Sequence, residues 1–130
     1  MIAHNTSLRV RYKETDQMGV VYYSNYLVWL EVARAELLRN IGHTYRVIEE
    51  DMGLRLMVLE AKCRYKSPAR YDDLIDVACS VTKLGGSSIT FAYKVLRNSE
   101  VLAIAETIHV FTDAAGRPKR IPQILRKVLS

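Results

Sequence analysis

The most regular pattern in this sequence is a stripe of apolar residues with helical spacing. Apolar residues recur at steps of three and four between positions 26 and 41, as on the buried face of a helix. The stripe consists of Tyr26, Leu30, Ala33, Leu37 and Ile41, and it is widened by Leu27 and Leu38. Ser24 or Asn25 can cap the start of the helix, and Gly42 suits the left-handed position just past its end. A strand over residues 8–12 and a polar turn precede this helix.

Strands predominate in the rest of the chain, after a short helix or turn over residues 43–53. Alternation predicts a half-buried strand over residues 59–66. A loop over residues 67–73 and a strand over residues 74–84 follow, and Gly85 and Gly86 are typical of a hairpin turn into the next strand. The predicted inner faces are Leu59, Ala61, Cys63 and Tyr65, then Ile75, Val77, Cys79 and Val81, then Ile89, Phe91, Tyr93 and Val95. Pro122 opens a short terminal helix.

The last long strand, residues 101–112, is apolar on both faces. Ala103, Ala105 and Phe111 occupy one face, and Leu102, Ile104, Ile108 and Val110 the other. A strand with only one face on the core would alternate. Since one long helix cannot cover both faces, we expect a second subunit to cover the outer one. His109 lies within this strand, and we expect it to be a hydrogen-bonded structural residue.

This order of elements predicts an α+β domain spanning residues 1–130, in which a five-stranded antiparallel sheet packs on one long helix. The composition is that of an ordinary globular protein, with 49% hydrophobic and 25% charged residues. We expect no signal peptide and no membrane span. Cys63 and Cys79 lack metal-type spacing, which indicates reduced core cysteines in a cytoplasmic protein. Glu31 with Arg34, and Glu36 with Arg39, have the spacing of helix-surface ion pairs.

The net charge of +5 indicates an anionic partner. Basic residues are concentrated near the C-terminus, where they form either a solvated face or a contact for a phosphorylated ligand. The chain shows no RNA- or DNA-binding motif, so we expect no nucleic-acid partner.

The candidate chemistry lies in the turn before the long helix. Asp16 is the last acid ahead of the helix, close to exposed backbone N–H groups and the positive end of the helix dipole. A carboxylate beside such donors supplies a base or nucleophile next to an oxyanion-binding element, as acyl transfer requires. Composition alone leaves a capping role for Asp16 as the alternative.

The segment T-D-Q-M-G-V-V-Y-Y-S-N-Y-L-V-W-L-E-V-A-R-A-E-L-L-R, residues 15–39, resembles the hotdog-fold acyl-CoA thioesterases of the 4-hydroxybenzoyl-CoA thioesterase type. The resemblance continues through Y-K-S-P-A-R-Y-D-D, residues 65–73, and reaches Pro122. It implies the hotdog arrangement, with the sheet wrapped around the central helix. It also implies a homo-oligomer, a dimer or homotetramer, whose subunits join their sheets side by side and share active sites.

The resemblance also assigns candidate roles to residues. Asp16 is the expected catalytic carboxylate, as nucleophile or general base, and the backbone N–H groups of Tyr23 and then Ser24 are the expected oxyanion donors. The expected substrate contacts are Gly19, Val20, Tyr22, Ser24, Asn25 and Trp29. Of these, Val20, Tyr22, Asn25 and Trp29 either line the acyl pocket or brace the loop. The expected CoA contacts are Arg64, Lys66, Arg70, Lys83, Ser87 and Ser88. No metal or cofactor is expected, because coenzyme A is part of the substrate. Tyr23 replaces the histidine of many short-chain relatives, which favours aromatic acyl groups.

Two alternative functions stay open from the sequence. One is a hotdog domain that binds acyl-CoA or a partner without turnover, although binding alone would not require Asp16. A hotdog dehydratase or hydratase is a closer rival, but no His-plus-acid pair is placed for that chemistry. The acyl group and its carrier, CoA or a carrier protein, are also open.

Overall fold

One long helix lies against a five-stranded antiparallel sheet in the computed structural model, which describes residues 1–130. The strands are β1 (Ala3–Arg9), β2 (Arg55–Tyr65), β3 (Leu74–Leu84), β4 (Ser88–Arg97) and β5 (Glu100–Thr112). The helices are α1 (Asn25–Asn40), α2 (Tyr45–Met52) and α3 (Gln123–Leu129). The strand order is β1-β3-β4-β5-β2, so that β1 and β2 are the two edges. This confirms the predicted α+β architecture.

A single core lies between α1 and the sheet, and it follows the predicted alternation. Twenty-six buried apolar residues form one cluster. The predicted inner faces of β3 and β4 are buried throughout, as are Ala103, Ala105 and Phe111 of β5. His109 is also buried, and its Nε2 lies 2.8 Å from the Thr107 hydroxyl, which confirms the structural role expected for it. No helix of the chain combines the length and apolarity needed to cross a bilayer.

The first strand lies earlier in the chain than predicted, at Ala3–Arg9 instead of residues 8–12. Its inward positions are His4, Thr6 and Leu8, each paired with a buried residue of β3. Two of these three side chains are polar, so the strand shows no apolar alternation in the sequence. Tyr12, which was predicted to end the strand, instead begins a short 3-10 turn over Tyr12–Glu14.

The edge strand β2 is longer and more exposed than predicted. It begins at Arg55, and its register shifts between Val58 and Glu60, so the predicted first residue Leu59 sits in an irregularity. The prediction of a half-buried strand is wrong for the single chain, because Leu59 is 63% and Tyr65 43% exposed. No strand of the protomer pairs with the outer edge of β2.

The helix α1 buries a face rotated from the predicted one. Tyr26, Leu30, Ala33, Leu37 and Leu38 are buried as expected, with Trp29 and Arg34 in addition. Leu27, predicted to widen the stripe, is exposed instead, because it lies on the side of the helix that faces away from the core. Gly42 has φ +81° and ends the helix as predicted. Ser24 occupies the capping position, but its side chain makes no capping hydrogen bond.

The outer face of β5 is only partly open. Ile104 is exposed, and Ile108 and Val110 are partly exposed, as a face awaiting a cover would be. Leu102 is buried within the chain, contrary to the expectation that a second subunit covers it. The loop after β2 covers it, since the N–H groups of Lys66 and Ser67 donate to the Leu102 carbonyl.

Candidate active site

A tight turn between β1 and α1 presents Asp16. Thr15 and Val21 form an isolated bridge across the turn. Within it, the Asp16 N–H donates to the Val20 carbonyl at 2.9 Å, and the Gly19 N–H donates to the Asp16 carbonyl at 3.0 Å. Gly19 has φ +80°, a conformation that glycine adopts without the steric cost of a Cβ. The turn therefore depends on glycine for its shape.

The Asp16 carboxylate is oriented by its own turn and keeps one oxygen free. Oδ1 accepts a hydrogen bond of 2.8 Å from the Met18 N–H, while no protein group donates to Oδ2. The residue is partly exposed. One oxygen is thus fixed by backbone, and the other is available to a substrate or a water molecule.

Glu14, which the sequence did not single out, fixes this turn to the helix. It is only 3% exposed, and its carboxylate accepts hydrogen bonds from the Arg11 N–H at 2.7 Å and the Trp29 indole at 2.9 Å. Its carbonyl accepts from the Tyr22 N–H at 2.8 Å and the Asn25 side-chain amide at 2.9 Å. Burial raises the pKa of Glu14, but these donors to the carboxylate outweigh it and lower the pKa below its ordinary value.

Two of the predicted substrate contacts, Trp29 and Asn25, therefore donate hydrogen bonds to Glu14. Trp29 is 2% exposed and is not on the wall of the cavity, which favours bracing of the loop over a contact with the acyl group. Asn25 is partly exposed, but its amide is engaged by the Glu14 carbonyl. Both residues brace the turn that carries Asp16.

Two backbone donors are free where the turn enters the helix. The N–H groups of Tyr22 and Asn25 are used within the protein, by the carbonyls of Glu14 and Tyr22. Those of Tyr23 and Ser24 have no hydrogen-bond partner. Unpaired donors at the start of a helix carry the positive end of its dipole, an arrangement that stabilises a developing oxyanion. These are the two groups that the sequence predicted as donors.

The turn opens into a tyrosine-rich cavity of about 430 Å³. Its walls come from the turn, the start of α1 and the loop after β2. They consist of Asp16, Met18, Val20, Val21, Tyr22, Tyr23, Tyr26, Tyr65, Lys66, Ser67 and Pro68. The structure thus brings Asp16, Val20, Tyr22, Tyr23 and Lys66 of the predicted set together, with Gly19 and Ser24 adjacent in the chain. We call this space the first cavity.

Tyr65, a second residue that sequence reasoning missed as a site residue, fixes one wall of the first cavity. Its hydroxyl donates to the Tyr23 carbonyl at 3.0 Å, and its ring meets Tyr26 edge-on at 5.0 Å between centroids. Burial and the neighbouring Cys63 raise the pKa of Tyr65 to about 12, so the hydroxyl stays protonated at neutral pH. Its position at the end of an alternating strand predicts packing and gives no sign of a role in the site.

The six predicted CoA contacts fall into two separate groups. Lys66 lines the first cavity, and Arg64 and Arg70 are exposed close to it in the chain. Ser87 and Ser88 lie at the opposite end of the sheet, with Lys83 on the same hairpin. Tyr65 pairs with position 103 of β5 and Ser88 with position 110, which at ~3.3 Å per residue places the two rows ~23 Å apart. One protomer does not bring all six residues to one site.

A second cavity of about 380 Å³ lies beside the start of β2 and contains the buried Arg34. The predicted surface pair of Glu31 and Arg34 is wrong, because Arg34 is only 8% exposed and forms no ion pair. The other predicted pair is present, with 3.4 Å between Glu36 and Arg39. The position of Arg34 between Leu30 and Leu37 on the buried stripe was the signal that could have revealed its burial.

Comparisons with known proteins agree with this architecture. The sequence profile described as the thioesterase-like superfamily matches residues 10–129. The acyl-CoA thioesterase YbgC of Haemophilus influenzae is 34% identical over 114 residues, covering 88% of this chain and 83% of that protein. A crystal structure of the hypothetical protein AQ1494 from Aquifex aeolicus superposes with a TM-score of 0.93 at 36% identity, covering 98% of this chain and 99% of the other.

A more distant structure identifies the fold. A 4-hydroxybenzoyl-CoA thioesterase superposes with a TM-score of 0.91 over 98% of this chain and 99% of the other, at 20% identity, which shows the shared fold alone. The hotdog arrangement implied by the sequence is thereby confirmed. The family match spans almost the entire chain and includes the Asp16 turn, α1 and all strands except β1. This chain therefore belongs to the thioesterase-like superfamily, and it is a thioester hydrolase of hotdog fold.

Proposed function

We propose that the protein hydrolyses acyl-CoA thioesters to a free carboxylic acid and CoA, with Asp16 as the essential carboxylate. The observation that carries the proposal is the first cavity itself. Asp16, whose Oδ2 is free, and Tyr23, whose N–H is unpaired, line one tyrosine-rich space, and the unpaired N–H of Ser24 follows Tyr23 in the chain. The name of the YbgC relative supports the acyl-CoA substrate class.

The reaction needs little more than these groups. With the thioester carbonyl oxygen on the Tyr23 and Ser24 N–H groups, attack at the carbonyl carbon forms a C–O bond and a tetrahedral oxyanion. The attacking oxygen is that of Asp16, or that of a water whose proton passes to Asp16. The C–S bond then breaks, and the thiolate leaves readily because a thiol has a pKa of only ~8.5. In the first route water hydrolyses the resulting anhydride.

The assembly that we propose is a homodimer joined at β2. This eleven-residue edge has unpaired backbone groups and exposes Met57, Val58 and Leu59. An exposed apolar edge strand of this length is an uncommon liability in a monomer. Leu27 and Val28 expose further apolar surface on α1. Two subunits that pair their β2 strands about a two-fold axis cover the edge and make one continuous sheet.

The outer face of the sheet supports a further association of dimers into the homotetramer. An apolar groove of about 560 Å³ crosses it, lined by small side chains such as Ala78 and Ala92 and by the exposed Ile104. A single copy leaves this groove uncovered.

We also infer a cytoplasmic location, because both cysteines, Cys63 and Cys79, are free thiols, as is usual in a reducing compartment.

The decisive experiment compares thiol release by the wild type and by Asp16→Asn on acetyl-, hexanoyl-, palmitoyl-, benzoyl- and 4-hydroxybenzoyl-CoA. Loss of the carboxylate should lower kcat by at least ~10² on the best substrate. Asp51→Asn, an exposed acid on α2, is the matched control and should retain wild-type kcat. Calorimetry with CoA should show unchanged binding in Asp16→Asn.

The outcomes separate the proposal from its rivals. Wild-type kcat in Asp16→Asn would refute the assigned mechanism. If the wild type binds the ligands but releases no thiol from any of them, the same assay run with acyl carrier protein thioesters tests the other carrier. Absence of turnover there as well would indicate a binding domain without hydrolysis.

A further inference from the structure

Arg34 is a buried cation without a carboxylate partner. Its Nε donates to the Tyr45 hydroxyl at 2.8 Å and its Nη1 to the Tyr93 hydroxyl at 3.2 Å. No protein group accepts from Nη2, and no acid lies within ion-pair distance of the guanidinium. A charge this deeply buried is costly unless its hydrogen bonds are completed. Nη2 is not sealed inside the protein but opens into the second cavity, where water or a ligand oxygen can accept its hydrogen bond.

The second cavity, into which Arg34 is set, has balanced charges. Arg34 and Arg55 line it together with Glu31 and Glu49, and Leu56 and Val58 form its apolar wall. Because two cations and two anions line the cavity, no net charge remains for a bound anion to neutralise. An uncharged oxygen acceptor carried on an apolar body fits this lining better than a carboxylate does, because the two glutamates already balance the two arginines and the wall beside them is apolar.

The proposed dimer brings this second cavity to the first cavity of the other subunit. Full antiparallel overlap of the eleven-residue β2 strands places Arg55 opposite Tyr65 of the partner subunit. Val58 pairs with buried His109, and Tyr65 with buried Ala103, so both positions face the helix side of the sheet. The two cavities then meet end to end across the two-fold axis.

We propose, resting on the proposed thioesterase function, that Arg34 is a specificity-determining residue supplied by the partner subunit. The reacting carbonyl lies at Asp16, and the far end of the acyl group reaches the guanidinium of Arg34 of the partner subunit. The favoured substrates are acyl groups with a neutral oxygen acceptor, such as a hydroxyl, at that end. An unsubstituted acyl group strips water from Nη2 without replacing its hydrogen bond.

The first test compares substrates that differ only in a terminal hydroxyl. These are benzoyl- against 4-hydroxybenzoyl-CoA, and hexanoyl- against 6-hydroxyhexanoyl-CoA. In the wild type, the hydroxylated member of at least one pair should have a kcat/KM ~10–100-fold higher, the usual effect of leaving one buried donor unpaired. Equal values in both pairs would overturn the proposal without using any variant.

The second test is Arg34→Gln, which should abolish this selectivity. Circular dichroism and urea unfolding of the variant show independently that it folds. Selectivity that persists in Arg34→Gln would overturn the proposal. The failure of the proposed function has a different signature, since Asp16→Asn would then keep its activity.

A mixed dimer shows which subunit supplies the arginine. One subunit carries Asp16→Asn and the other Arg34→Gln, each with its own affinity tag, so that the heterodimer can be isolated. If Arg34 acts across the interface, one of the two sites holds both Asp16 and Arg34, and half of the selective wild-type activity returns. If Arg34 acts within its own subunit, the remaining Asp16 lacks it and the activity is unselective, which would overturn the proposal.

Discussion

The buried carboxylate of Glu14 should be the most sensitive single position outside the first cavity, and Glu14→Gln tests this with almost no change in volume. The carboxylate accepts two short hydrogen bonds, from the Arg11 N–H at 2.7 Å and the Trp29 indole at 2.9 Å. A glutamine has one carbonyl oxygen and one NH₂ group at these two positions. Either the Arg11 N–H or the Trp29 indole must therefore face the NH₂ group of the glutamine, which is itself a donor.

The magnitude follows from that loss. A buried donor without a partner costs ~1–3 kcal/mol, and the remaining bond loses its charge assistance. We expect Glu14→Gln to lower the free energy of unfolding by about 2–3 kcal/mol, a large share of the ~5–15 kcal/mol that stabilises a typical domain. Because the Glu14 backbone holds Tyr22 and Asn25 beside the oxyanion donors, kcat should fall as well.

Urea unfolding monitored by fluorescence measures this directly, because Trp29 is the only tryptophan of the chain and is itself a partner of Glu14. The control is Glu36→Gln, which removes an exposed helix ion pair with Arg39 and should cost at most ~0.5 kcal/mol. If Glu14→Gln unfolds within 0.5 kcal/mol of the wild type, the anchor described for the turn is wrong.

Three further predictions concern pH, backbone strain and assembly. Burial lowers the pKa of His109 to about 4, so the unfolded chain binds a proton at this histidine before the folded chain does as the pH falls. The contribution of His109 to the free energy of unfolding should be constant above pH ~6.5 and should fall by on the order of 3 kcal/mol towards pH 4. Urea titrations at successive pH values should show this slope in the wild type and not in His109→Gln. In Gly19→Ala the new Cβ meets no atom within 4 Å, but the alanine must adopt φ +80°, so the free energy of unfolding in urea should fall by ~1 kcal/mol. Gly86 has no positive φ, so Gly86→Ala should be near neutral. Equal losses in the two variants would refute the argument. Leu59→Asp places charges on the β2 edge, so sedimentation should show monomers; an unchanged dimer would exclude this edge as the interface.

Alternation was sufficient to predict the central strands because their inner faces are covered within one chain. In β3 and β4 every predicted inner residue is buried, and the Gly85–Gly86 hairpin joins them as expected. The first strand was misplaced because His4 and Thr6 occupy inward positions, where a pattern of apolar residues gives no signal. Burial of polar side chains depends on partners in other parts of the chain, which periodicity does not contain.

The parts of the candidate site that come from one short segment of the sequence were predictable, and the parts that depend on contacts between distant segments were not. The Asp16 turn and the free N–H groups of Tyr23 and Ser24 all lie within nine residues, and the sequence placed them together. The anchoring role of Glu14 depends on an indole fifteen positions away, and Tyr65 enters the site from a strand that starts beyond α2. The spacing of residues along the sequence predicts neither contact.

The positions that were predicted to be buried but are exposed share one location, which supports the proposed dimer. Leu27, Leu59 and Tyr65 were predicted to be buried and are exposed in the protomer, and all three lie on α1 or the β2 edge. Random errors of pattern reading would be spread over the whole chain, yet β3 and β4 show none. An apolar pattern records burial in the assembled protein, because selection acts on that state. The misassigned positions are therefore best explained as residues whose cover is a second copy of the chain, and Arg34 beside them as the group that this copy contributes.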